Sequence, residues 1–249
     1  MLKMFAPMTR IPGISRSAFS AHWHDEHVPL ATRLVPPGVG PLTIIENHSL
    51  SLGTGPTAET GFDGVDQLTF ADADGLRHFA TWYAGPDPDA ATVRADEDHF
   101  YDRRTTFAVP TTEHVIWGRD EIYNGDSRKP VDGAVKVLAF LKRLPSLTHD
   151  EFCAHWHDRH AVIAAETTPN DVRATTLAYV QNHAMFSPNG KGPRYDAVAE
   201  IFHKDFDSVK RWTSWFQSDA GGALRADEAN FLDATDRVIV VAHERIALG

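Results

Sequence analysis

The chain has 249 residues, 42% apolar and 23% charged, and its 34 Asp and Glu outnumber its 24 Lys and Arg to leave a net charge of −10. That balance repels phosphate backbones and anionic membrane surfaces, so neither nucleic acid nor membrane is an expected partner. The single cysteine, Cys153, excludes an internal disulfide and a cysteine-rich zinc module. No apolar run approaches the roughly 20 residues of a membrane span. The start, MLKMFAPMTRIPG, lacks a signal-peptide pattern, and a cytoplasmic protein is expected.

In chain order, Leu2–Met8 reads as a strand, and Ser15 caps a helix that runs to about Arg33. Leu42–Leu50 is a second strand, and Gly53–Gly64 a Gly/Pro/Thr-rich loop. Val65–Phe70 is a third strand, a helical region broken by glycine starts at Asp74, and Ala108–Trp117 is a fourth strand. A polar join, Asn124 to Gly133, follows. The order then recurs. Val135–Lys142 is a strand, Thr148 with Glu151 forms a capping box, and the helix runs to about Ala165. Thr176–Phe186 and Ala197–His203 are strands separated by the loop Ser187–Arg194. Helices start again at Phe206, and Arg237–Arg245 is the last strand.

The recurrence is visible residue by residue. Residues 3–27 and 136–160 align without a gap, and 11 of 25 positions are identical, including His22-Trp23-His24-Asp25 with His155-Trp156-His157-Asp158 and His27 with His160. Further on, Asn47-His48 matches Asn182-His183, Phe62-Asp63 matches Tyr195-Asp196, Trp82 matches Trp215, and Ala95-Asp96-Glu97 matches Ala226-Asp227-Glu228. The chain is therefore read as two repeats, 1–123 and 133–249, each β-α-β-β-α-β in the ferredoxin-like pattern. Helices cover one face of such a sheet, and the other face must also be buried. The partner is in the same chain, so the expected fold is α+β, an intrachain, pseudo-dimeric α+β barrel. Whether two whole chains pair as a homodimer is left open.

R-x-P-x-[LI]-[ST], then F-x-x-H-W-H-D-x-H, then [FY]-D-x-V on the third strand, each present in both halves, resemble the EthD family of the dimeric α+β-barrel superfamily. The resemblance implies the fold. Its relatives include fungal polyketide dehydratases, muconolactone isomerases, cofactor-free monooxygenases and haem enzymes, so it does not single out an activity.

On a helical wheel of 100° per residue, Phe19, Trp23, Glu26 and Leu30 form the sheet-facing stripe. His27 and His160 fall at its edge and are the histidines expected to reach a cavity, while His24 and His157 point away. An imidazole there can act as general acid/base near neutral pH. It can equally be a half-buried histidine that holds a loop. Third strands differ between halves, Gln67 against Glu200, and only Glu200 can take a proton or orient His160; it can equally do no more than satisfy a buried donor. The expected catalytic set is His160, Glu200 and His27, with the second half the more complete. Asp66 is expected on the opposite face. Trp23, Trp156, His24, His157, His48 and His183 are the substrate-binding candidates. Core packing is the alternative for the tryptophans, and a turn role for His48 and His183.

His24 with His27, and His157 with His160, have i, i+3 spacing, but no third ligand stands at a zinc spacing, and no metal is expected. No phosphate loop, nucleophile elbow or nucleotide fingerprint occurs, and no cofactor is expected. Haem on His27 or His160 enters only through the wider superfamily. The reading is a cofactor-independent lyase or isomerase, dehydration favoured, acting by histidine acid/base catalysis on a small hydrophobic cyclic or polyketide-like metabolite. The alternatives are a non-catalytic small-molecule-binding accessory protein and a haem or cofactor-free oxygenase.

Overall fold

Sequence punctuation and element boundaries coincide closely in the computed structural model, which describes residues 2–50, 61–118, 131–186 and 192–248. The first repeat contains β1 (Leu2–Met8), α1 (Arg16–Ala21), a π-helical turn (His22–His27) and α2 (Val28–Leu34). It continues with β2 (Thr43–Ser49), β3 (Gly64–Phe70), α3 (Ala73–Ala84), α4 (Pro88–Glu97) and β4 (Val109–Trp117). The second contains β5 (Val135–Leu141), α5 (His149–Ala154), a second π-helical turn (His155–His160), α6 (Ala161–Thr167) and a short α7 (Asn170–Arg173). It ends with β6 (Thr176–Ala184), β7 (Ala197–His203), α8 (Phe206–Gln217), α9 (Gly222–Glu228) and β8 (Val238–Leu248). The loops Gly53–Gly64 and Ser187–Arg194 and the join at Asn124–Gly133 fall largely outside the described residues.

The caps are those the sequence predicts. Ser15 accepts from the Ala18 amide, and Thr148 and Glu151 form a reciprocal capping box; each such cap stabilises its helix by about 1 kcal/mol. What the sequence reading missed is the winding of the HWHD turns. The Val28 amide donates to Trp23 O and the Ala161 amide to Trp156 O, both i→i+5 bonds. A π turn rotates each residue through a smaller angle than an α turn, so a 100° wheel misplaces every side chain after Trp23 and Trp156.

Among the described residues eight strands follow one closed order, β1-β3-β2-β8-β5-β7-β6-β4, the α+β barrel expected of two ferredoxin-like repeats. The chain divides into two compact units, Met1–Pro110 with Glu244–Gly249, and Thr111–His243. β4 pairs with β6 and so belongs mainly to the second unit.

Register decides which side chains face the helices. In the first unit Ala6 pairs with Asp66, and Asp66 with Glu46. Paired residues share a face and alternation reverses it, so Ala6, Asp66, Glu46 and His48 lie together, and Phe5, Gln67, Ile45 and Asn47 lie on the reverse. Trp23 packs on the first face, where Gly64 makes room: a Cβ on Gly64 would stand 2.6 Å from Trp23 Cζ3. In the second unit Ala139, Ala199, Gln181 and His183 take the helix-facing places, while Leu138, Glu200, Val180 and Asn182 lie on the reverse. Phe152, Trp156, Tyr179, Phe231 and Leu232 pack on the helix side of that unit.

Candidate functional site in the first unit

The repeated motifs mostly hold the fold. The Arg10 guanidinium and backbone amide both bind Asp63, and Arg143 binds Asp196 in the same way. The Arg of R-x-P is thus tied to the Asp of [FY]-D on strand three. Asp96 accepts from His22 Nε2 at 3.1 Å and from His27 Nδ1 at 2.8 Å. Asp227 repeats the clamp with His155 and His160, both at 3.0 Å, and adds Arg159 Nε at 3.1 Å. The His27 and His160 rings each lie 5.0 Å from a phenylalanine, Phe100 and Phe231. Burial holds His160 below the usual imidazole range, partly offset by Asp227. These two histidines therefore tie the π turns to the last helix of their repeats.

Glu200 is not brought to His160. It lies on the reverse face, completely buried, with Lys136 Nζ 3.1 Å from Oε2 and Asn182 Nδ2 donating to Oε1 at 3.0 Å. The expectation that the third-strand acid turns toward the histidine helix is corrected by strand alternation: the helix-facing neighbour is Ala199 in the second unit and Asp66 in the first. The same alternation puts Asp66 on the helix-facing side, not on the face expected of it.

The structure brings a different group together on the helix side of the first unit. The π turn swings His24 toward the sheet, where its Nδ1–H donates to Glu46 Oε2 at 2.5 Å. Glu46 is completely buried and His24 is about a quarter exposed. With Nδ1 carrying the proton, Nε2 keeps a lone pair, the arrangement of an oriented general base. His48 approaches the same carboxylate oxygen at 3.4 Å through Nε2 and meets Ser20 Oγ at 3.0 Å through Nδ1, with its ring 4.7 Å from Trp23.

Asp66 faces this pair across the register. Burial first, then the neighbouring carboxylates Glu46 and Glu97, push its carboxyl up to about 8, against a weaker opposing bond from the Gln67 amide. It is a carboxylic acid at neutral pH. Its Oδ1 is shut off from solvent and has no partner among the described residues, although the residue as a whole is partly accessible. Glu97, also raised by burial, accepts from Tyr83 Oη at 2.5 Å, with Tyr101 beside it. Groups with opposite protonation demands side by side can supply a base and an acid at one pH.

The second unit does not repeat this chemistry. At the positions of Glu46, Asp66, Tyr83 and Tyr101 it has Gln181, Ala199, Phe216 and Leu232. His157 donates to its neighbour Asp158 at 2.8 Å, and His183 contacts Gln181 Oε1 at 3.1 Å. The His183 ring stacks 5.2 Å from Trp156 and lies 4.2 Å from His114. Burial, then His114 and His157, push His183 down to about 3. Sequence reasoning missed Glu46, Asp66, Tyr83 and Tyr101. The signal was available: each is polar in one half and has lost its carboxyl or hydroxyl in the other.

Among the described residues no group of three or more His, Cys, Asp or Glu is arranged to hold a metal ion. His24 and His27, the i, i+3 pair, use different carboxylates, Glu46 and Asp96. No helix among the described residues is long and apolar enough to cross a membrane.

Comparison with known proteins agrees with this architecture. The EthD domain model matches the chain twice, over residues 11–104 and 144–235. No curated protein sequence matches it. Among solved structures, an anthrone oxidase-like protein is similar over 99% of this chain and 93% of its own, with a TM-score of 0.64 and 11% identity. A candidate monooxygenase from Lactobacillus acidophilus NCFM is similar over 99% and 95%, with a TM-score of 0.50 and 10% identity. A candidate chlorite dismutase covers 97% and 94%, with a TM-score of 0.51 and 12% identity. At these identities the likeness is one of fold.

Proposed function

The chain belongs to the EthD domain family, and on that premise we propose a cofactor-independent lyase or isomerase, dehydration favoured, that acts on a small hydrophobic cyclic or polyketide-like metabolite at the helix side of the first unit. The observation that carries the reading is the His24–Glu46 pair on the same sheet face as Asp66, whose carboxyl burial pushes up to about 8. In a β-hydroxy ketone, His24 Nε2 takes the proton α to the carbonyl. The C–O bond at the β carbon then breaks as the double bond forms. The leaving oxygen takes the Asp66 proton and departs as water. Proton return from His24 to Asp66, directly or through solvent, restores the starting state. No oxidant or reductant is needed. Without the leaving hydroxyl, the same two groups would move a proton between carbons, which is isomerisation.

This reading moves the acid/base role from His160, Glu200 and His27 to His24 and Asp66, with Glu46 as the positioning residue and Trp23 and His48 as walls. Its test uses a β-hydroxytetralone, which becomes naphthol on losing water, followed by fluorescence. Asp66→Asn and His24→Asn should each remove turnover by about 100-fold or more, while His157→Asn retains it. Full activity in either first-unit variant rejects the assignment. The oxygenase alternative predicts oxygen uptake with the same carbon acids, and a visible absorption scan tests its haem form. A purely binding protein predicts saturable binding with no turnover.

A further inference from the structure

The second unit contains a set of buried nitrogen donors that the proposed chemistry does not use. His203, at the end of β7, is completely buried, and neither ring nitrogen has a hydrogen-bond partner among the described residues. Trp215 Nε1 on α8 and Trp117 Nε1 on β4 are buried and unpartnered in the same sense. The groups are neighbours. Trp212 lies 6.3 Å from His203 and 6.2 Å from Trp215, centroid to centroid. Trp117 and Trp212 both pack on the cluster of Trp215, Phe216 and Val172. Trp117 is also 5.1 Å from Tyr179, and the Arg173 guanidinium lies 4.2 Å from its ring.

Leaving a donor buried and unsatisfied costs about 1–3 kcal/mol, and a folded protein rarely carries three such groups in one place without an acceptor from outside the chain. In the first repeat Phe70 and Phe79 stand where the second has His203 and Trp212. Trp82 Nε1, at the position of Trp215, is likewise buried and without a partner among the described residues; the His203 imidazole and its Trp212 neighbour are what the second unit has and the first has not.

We propose that this aromatic cluster, between α8 and the β6–β7 strands of the second unit, is a binding site for a planar aromatic compound that carries both a carbonyl and a hydroxyl group. The surrounding rings supply stacking and apolar contact. The carbonyl oxygen accepts from an indole N–H. Burial pushes His203 down to about 4, so its ring is neutral and offers one donor and one acceptor; the acceptor nitrogen takes the ligand hydroxyl. Arg173 and Trp212, both partly exposed, form the rim. The site stands independently of the acid/base reading of the first unit.

Umbelliferone, planar with one ring carbonyl and one hydroxyl, is the probe. Its titration into the full-length protein is followed by energy transfer from tryptophan. Saturable transfer is expected, with affinity lowered about 3- to 10-fold by Trp215→Phe, which keeps a ring and deletes one donor. His203→Phe, which borrows the residue of the first repeat, should weaken binding at least as much. Should His203→Phe fail to fold by circular dichroism, Trp117→Phe takes its place. The proposal is overturned by the absence of saturable transfer, by equal affinity in wild type and both variants, or by loss only in Trp82→Phe, the matching position of the first unit.

Discussion

Replacing Glu200 by glutamine should destabilise the fold. Lys136 and Glu200 are 1% and 0% exposed, their charged atoms are 3.1 Å apart, and Asn182 donates to the other carboxylate oxygen. In Glu200→Gln the ammonium stays buried with an amide where a carboxylate was. Removing one partner of such a buried pair costs about 3–5 kcal/mol. In a chain of this size 1 kcal/mol moves Tm by about 2–4 °C, so the expected fall is on the order of 6–20 °C. The double variant Lys136→Met with Glu200→Leu removes both charges and should recover most of the loss, since well-packed apolar replacements of buried ion pairs are often neutral or better. Differential scanning calorimetry of wild type, Glu200→Gln and the double variant makes the measurement. A Glu200→Gln melting point within about 2 °C of wild type, or a double variant less stable than the single, refutes the reasoning.

Asp66 keeps its proton in the fold up to about pH 8 but releases it near 3.8 when unfolded, so folding takes up a proton between those values. Stability contributed there is lost as pH rises through that window, with a slope of up to about 1.4 kcal/mol per pH unit; urea titrations at several pH values should show the slope flatten in Asp66→Asn. His183 and His203 shift the other way, to about 3 and about 4 from 6.5. Their neutral forms favour the fold, so stability is complete above 6.5 and falls as pH drops toward those values; NMR of the imidazole Cε1–H should find both rings still neutral at about pH 5. Asp227→Ala removes the shared acceptor of His155, Arg159 and His160 and should lower unfolding free energy by about 2–3 kcal/mol in urea. Glu46→Leu should release His24 from its single tautomer, read as a mixture of Nδ1- and Nε2-protonated rings by nitrogen-15 NMR.

The candidate site was only partly legible in the sequence. Trp23, His24 and His48 are binding candidates from the sequence, and the structure brings them together around Glu46. The expectation that His27 and His160 are the reactive histidines rests on an α-helical wheel. The π turns at His22–His27 and His155–His160 invalidate that wheel, and no local pattern distinguishes HWHDEH in a π turn from the same letters in an α turn. Strand identity was readable from apolar runs and turn residues, but the face of Asp66 and Glu200 was not. An alternating strand has two equivalent phases until its partners and covering helices are known.

The sequence by itself determined the duplication, the β-α-β-β-α-β order and the helix starts at Ser15 and Thr148, because these depend on local capping, periodicity and residue-by-residue likeness. Only the tertiary structure decided that Glu46 and Asp66 meet His24 while Glu200 meets Lys136. Those meetings join segments far apart in the chain, and they depend on register, winding and burial. The elevated Asp66 carboxyl is a product of burial beside Glu46 and Glu97, which exists only once the three are folded against one another.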